Sequence, residues 1–131
     1  MVPESHPLNA STDEDKIETL FDVLLYQNGV VAYCDPYKDQ TFDGVPLSSG
    51  ASGFVGIYFY ESGKLRQGHL AKEHTFGKIR LPAETGVELY ESGALKTIID
   101  HSGLTIDGKS YPWDRWIYFH EDGSIDLAKT K

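Results

Sequence analysis

Cysteine is nearly absent from this chain: Cys34 is the single thiol in 131 residues. No intramolecular disulfide can form, so a packed core must hold the fold, and the cytoplasm is the expected compartment. Long hydrophobic runs are missing too. No stretch approaches the ~18 apolar residues of a membrane span. The opening segment, MVPESHPLNASTDEDK, has neither a basic start nor an apolar centre and does not resemble a secretory signal. Positive charge is scarce: 12 Lys and Arg stand against 20 Asp and Glu, for a net charge of -8. Nucleic-acid binding needs clustered cations to neutralise phosphates, which sets that class aside. An acidic chain suits a basic partner, and equally suits plain solubility.

What the chain does contain is repetition. The string YESG occurs at residues 60–63 and again at 90–93. Thirty residues after Gly93 comes Gly123 in HEDG, and thirty-four before Gly63 comes Gly29 in YQNG. Further columns follow the same frame. Val23, Ile57, Val87 and Ile117 stand three before the Tyr or His; Leu25, Phe59, Leu89 and Phe119 stand one before it. Val31, Leu65, Leu95 and Ile125 stand two after the Gly. Twelve after the first three glycines come Thr41, Thr75 and Thr105, each followed by Phe42, Phe76 or Ile106. Internal periods of this size mark repeat architectures.

Each block has strand–turn–strand chemistry. In IYFYESGKL, Ile57 and Phe59 alternate with Tyr58 and Tyr60, the period of a strand with one buried face. The glycine accepts the positive φ that a type I turn with a following bulge requires. FDG at 42–44, FGK at 76–78 and IDG at 106–108 signal a second, shorter hairpin in each linker, with ordered kinks at Pro82 and Pro112. The expected fold is therefore all-β: a meander of about three thirty-residue units plus a terminal hairpin, as an open stacked sheet or a small barrel. One β-repeat domain is expected over 17–131, after a disordered polar arm over 1–16. Ile17, Leu20, Phe21, Leu24 and Leu25 have helical spacing, whereas the repeat frame demands a strand at 22–26. The two are reconciled by a short helix or turn over roughly 13–20, then a strand.

YESGKLRQGHL resembles the MORN-repeat variant of small bacterial proteins, with its Tyr, two residues, Gly, an apolar residue and a later Gly. Tyr60, Gly63, Leu65 and Gly68 match; Tyr90, Gly93 and Leu95 match without the second Gly, and Tyr26 with Gly29 matches more loosely. The resemblance covers the hairpin blocks and not the linkers, and the unit here is longer than the usual one. It implies a binding or scaffold module, and, since some small variants carry antitoxin labels, an immunity-like role.

Residues with chemistry are present without a chemical pattern. Of His6, His69, His74, His101 and His120, only His69 and His74 stand close in sequence, five apart, and a metal site needs three or four converging ligands. His69 and His74 align with Ile99 and Leu104, which are framework columns. Cys34, in AYCDPY, has no partner base in view. Asp35, Asp39 and Asp43 are spaced by four, unlike a calcium loop. SSGASG lacks the Lys-Ser/Thr ending of a phosphate loop. No catalytic residue, metal site or cofactor is therefore assigned.

The aromatic column is more informative. Tyr26, Tyr60, Tyr90 and His120 recur opposite the aliphatic columns, with Tyr58 and Tyr118 on the same face. Tyr combines large contact area, few torsions and a hydroxyl, so such a stripe suits recognition of a protein, a peptide or a glycan. The competing reading is a second packed face. Trp113 and Trp116, in YPWDRW, add an anchor pair or a cap for the end of the array. The leading expectation is a non-enzymatic module that binds a protein partner, a basic one if the charge matters. The alternatives are a small hydrolase or lyase using His and carboxylates in a barrel mouth, and a structural or oligomeric component.

Overall fold

The structure, a computed structural model, describes residues 20–36, 38–49 and 56–130. The arm expected over 1–16 and the helix or turn expected before Leu20 lie outside these residues. Leu20 itself already belongs to a strand.

The same order of four strands occurs three times. The first unit has β1 (Leu20–Leu25), β2 (Val31–Pro36), β3 (Gln40–Phe42) and β4 (Val45–Leu47). The second has β5 (Ile57–Phe59), β6 (Leu65–His69), β7 (His74–Phe76) and β8 (Ile79–Leu81). The third has β9 (Gly86–Leu89), β10 (Leu95–Asp100), β11 (Leu104–Ile106) and β12 (Lys109–Tyr111). A final strand, β13 (Ile117–Tyr118), starts a fourth unit. The first two strands of every unit join one seven-stranded sheet, ordered β1-β2-β5-β6-β9-β10-β13. All neighbours in it are antiparallel. The last two strands of each unit form a separate hairpin. The sheet begins at β1 and ends at β13 without closing, so of the two expected architectures the open sheet is the one adopted. The described residues contain no helix, and hence none long and apolar enough to cross a membrane.

Turn chemistry explains the regularity. In the second unit the Tyr60 amide donates to the Lys64 carbonyl at 2.8 Å, and the Gly63 amide donates to the Tyr60 carbonyl at 2.9 Å. That is a type I turn closed by a left-handed glycine, with φ 93° at Gly63. Tyr26, Tyr90 and His120 make the same pair of bonds in their units. The residue before each glycine tightens the turn: Asn28, Ser62, Ser92 and Asp122 each accept from the amide two residues on. The linker hairpins use two-residue turns. Asp43–Gly44 and Asp107–Gly108 are left-handed at both positions, as type I′ demands. The carboxylate of Asp43 also accepts from the Leu65 amide at 2.7 Å, fastening the first linker hairpin to the second unit.

The core lies between the sheet and the three linker hairpins. Ile57, Phe59, Val87, Leu89, Ile98, Ile117 and Phe119 project from the sheet; Val45, Leu47, Leu81, Ile106 and Tyr111 close over them. Burying each such side chain stabilises by roughly 1.5–3 kcal/mol. Successive units are laced by backbone bonds: Ser48 donates to the His69 carbonyl, and Ala71 donates to the Pro46 carbonyl. One face of the sheet is thus consumed by packing, which leaves the other to consider.

Candidate functional site

On that outward face, register brings one residue from each strand into a single row: Leu24, Tyr33, Tyr58, Gln67, Glu88, Thr97 and Tyr118. Tyr58 and Tyr118 stand where strand alternation puts them. Glu88, between the buried Val87 and Leu89, does the same, whereas Gln67 and Thr97 join the row because of β-bulges. Between Phe59–Leu65 and Tyr58–Gln67 the register shifts by one residue, and the same happens between Leu95 and Thr97. A bulge sets two residues against one and reverses inward–outward parity beyond it. Counting by twos along β6 therefore assigns Gln67 to the wrong face. The bulged residues themselves, Arg66 and Lys96, carry the cations of this face. Each approaches Glu88, at 3.7 Å and 3.9 Å.

Tyr26, Tyr60 and Tyr90 have a specific structural task. Their hydroxyls donate to the carbonyls of Phe59, Leu89 and Phe119, each at 2.6 Å. Every acceptor is the residue just before the next Tyr or His of the column, so each tyrosine staples its unit to the following one. His120 holds the fourth position of the column and is exposed. The three tyrosine rings remain half-exposed. Arg66 lies 5.9 Å from the Tyr60 ring centroid and Lys96 lies 5.6 Å from that of Tyr90. Burial, and then the Glu88 carboxylate, raise the Tyr60 hydroxyl above its ordinary pKa, with Arg66 opposing them.

Glycines flatten two points of this face. A Cβ on Gly56 would lie 2.7 Å from ring atoms of Tyr33, and one on Gly86 would lie 2.8 Å from the His69 ring and from the Asp100 Cβ. The glycines seat these rings against the sheet. The next position in the thirty-residue frame is Trp116, which is 52% exposed and 6.4 Å from the Tyr118 ring. Tyr33 in turn packs on Tyr58 at 4.9 Å. The face therefore carries one aromatic pair at its β2–β5 end and another at its β13 end, with the Arg66–Glu88–Lys96 group between. Trp113 is 71% exposed, in the turn before β13.

The histidines do not converge. His69 is buried, and its Nε2 meets the Asp100 carboxylate at 3.1 Å. His101 is buried with Nδ1 accepting from the Gly103 amide and Nε2 facing the Arg115 carbonyl at 2.7 Å. Only the neutral Nε2–H tautomer satisfies both bonds, so His101 ties two loops together. His74 rests on the edge of Phe76. His6 lies outside the described residues. Cys34 is in the core, where burial, assisted by Asp35, pushes its thiol up to about 12. Asp39 accepts from the Ser49 amide. Among the described residues no three His, Cys, Asp or Glu side chains form a metal-binding group. An open sheet has no barrel mouth in which acid–base groups would gather.

Sequence counting missed Tyr33, Gln67, Glu88 and Thr97 as members of the face. A usable signal was present: Tyr33, Gln67 and Thr97 all stand four residues after their turn glycine. Comparison with family models, with curated proteins and with solved structures finds no match for the chain.

Proposed function

We propose that the protein is a non-enzymatic binding module whose outward sheet face takes a protein partner. The observation that carries this reading is the row Tyr33, Tyr58, Gln67, Glu88 and Tyr118, in which the intervening Thr97 is buried at 2% exposure. It runs across a face that no linker hairpin covers and has aromatic pairs near both ends. Tyrosine, tryptophan and arginine, all present on this face, are the residues enriched in protein-recognition surfaces. The partner is basic in this proposal. Three of the sheet's hairpin turns sit along one rim and present Glu61, Glu91, Glu121 and Asp122, all exposed, on a chain of net charge -8. Such a rim steers cationic partners into encounter. Neutralisation of a basic protein, as in an immunity pair, is the specific form proposed.

The test compares proteins captured by the wild type with those captured by Tyr58→Ala and Tyr118→Ala, with folding verified by circular dichroism. Neither residue makes an inter-unit staple, so both variants should stay folded. A basic protein captured by the wild type should be depleted at least about tenfold in each variant, as expected of hot-spot residues. Equal capture by folded variants would reject the face as the site.

A further inference from the structure

Among the described residues, the two edges of the main sheet are of the same kind. Call β1, β5, β9 and β13 leading strands and β2, β6 and β10 returning strands. Across the sheet the kinds alternate, and both ends are leading strands. Inside the sheet, every leading strand from β5 to β9 has returning strands on both sides. The fourth unit starts in the same way: after its turn, Ile125 bridges Phe119 as Leu65 faces Phe59 and Leu95 faces Leu89. Asp126 then donates to the Tyr118 carbonyl at 2.8 Å. Here the chain departs from the pattern. Gln67 and Thr97 sit opposite Tyr58 and Glu88, but the equivalent Leu127 turns away and is 69% exposed. The amide of Tyr118 is taken by a side chain instead, donating to Thr130 Oγ1 at 2.8 Å.

This cap touches the strand edge through one residue. Thr130 is 3% exposed, whereas residues 127–129 are exposed. The same Thr130 hydroxyl also donates to the Tyr118 carbonyl at 3.4 Å. The other contacts of the cap are within the turn, from Thr130 N–H to the Asp126 carbonyl and from Lys129 N–H to the Asp126 carboxylate, or loose, with the Lys129 ammonium 5.3 Å from the Tyr118 ring. A returning strand would satisfy the same backbone groups with its own.

We propose that the 127–130 turn is a displaceable cap on the seat of a fourteenth strand, and that the β13 edge takes an extended segment of a partner protein. The segment runs antiparallel to β13, with an apolar residue beside Ile117 and a small or polar one beside Tyr118, as Ile98 and Thr97 stand on the other side. A second copy of the chain is a poor occupant, because the sheet ends it offers are both leading strands. Adding a strand to a sheet edge is an established mode of peptide recognition, in which backbone bonds supply affinity. The cap protects the edge from indiscriminate pairing until such a segment arrives. It also lowers the apparent affinity by the fraction of time it is closed.

The probe is a fluorescently labelled peptide copying residues 94–100, ALKTIID, the returning strand of the third unit. Its binding is followed by anisotropy with the full chain. Thr130→Val removes the hydroxyl that competes for the Tyr118 amide and should tighten binding about fivefold, the equivalent of one hydrogen bond. A chain ending at residue 126 should bind at least as well. A peptide with the same side chains but N-methylated backbone should not bind, and the bound peptide should slow exchange of the Tyr118 amide. Absence of saturable binding to either altered chain, or equal affinity for wild type and Thr130→Val, would overturn the proposal. The inference is independent of the outward-face reading: Tyr58→Ala should leave peptide binding unchanged, so each can fail alone.

Discussion

Replacing Tyr60 by Phe removes one oxygen and nothing else, and it isolates the staple between the second and third units. The hydroxyl donates to the Leu89 carbonyl at 2.6 Å from a half-buried ring. A neutral intramolecular hydrogen bond contributes about 1 kcal/mol net, and a partly screened carbonyl left behind can recover water. Tyr60→Phe should therefore cost about 1 kcal/mol. Tyr60→Ala loses the ring as well, with its cation–π contact to Arg66 and its packing, and should cost about 3 kcal/mol. Tyr26→Phe and Tyr90→Phe should match Tyr60→Phe, because the acceptor distance is the same in all three. Successive columns are two strands apart, roughly 10 Å, so the three effects should add to about 3 kcal/mol. His120→Phe is the internal control: exposed and without a tyrosine hydroxyl to lose, it should change stability by less than about 0.5 kcal/mol. Urea titration at constant m-value measures all of these. A pH series adds a check on sign. The folded pKa of Tyr60 is raised, so its contribution is fully present below the unfolded value near 10 and is lost as pH rises through the folded one. Tyr60→Phe should flatten that alkaline loss. Three neutral Tyr→Phe variants would refute the staple and leave the column's recurrence without a structural cause.

Two further outcomes follow from the packing. Gly86→Ala places a methyl 2.8 Å from the Asp100 Cβ and the His69 ring, so it should destabilise by about 1–3 kcal/mol, measured by the same titration, although Ala is ordinarily the better residue for φ below zero. Cys34 should resist a thiol reagent at pH 8 in the native protein and react on unfolding, since burial holds its thiol near 12; rapid native labelling would contradict its place in the core.

The strand–turn–strand frame was legible without coordinates, for a local reason. A three-residue hairpin turn needs a left-handed residue, so Gly29, Gly63, Gly93 and Gly123 advertise four turns, and the Val/Ile and Leu/Phe columns advertise the buried face between them. Two of the linker hairpins were legible from Asp-Gly in the same way, and the middle one from Gly77. These signals involve residues within a few positions of one another, where chain geometry alone restricts the choice. The open sheet was not legible, because closure depends on how far strands tilt and twist over the whole array, and neither is written in any one unit. The membership of the outward face was hidden by the bulges at Arg66 and Lys96, each of which reverses the parity of the residues after it. The task of the tyrosines was hidden too. Their recurrence identified a column, but a hydroxyl cannot be assigned to a carbonyl some thirty residues away until both strands are placed. Thr130 is the extreme case: nothing in LAKTK suggests a strand cap, and only the amide of Tyr118, which has no strand partner on that side and donates to Thr130 instead, gives that hydroxyl its position. Local turn and burial preferences belong to the sequence. Partners far apart in the chain are chosen by the need of each buried backbone group for a hydrogen bond, and that need exists only once the sheet has formed.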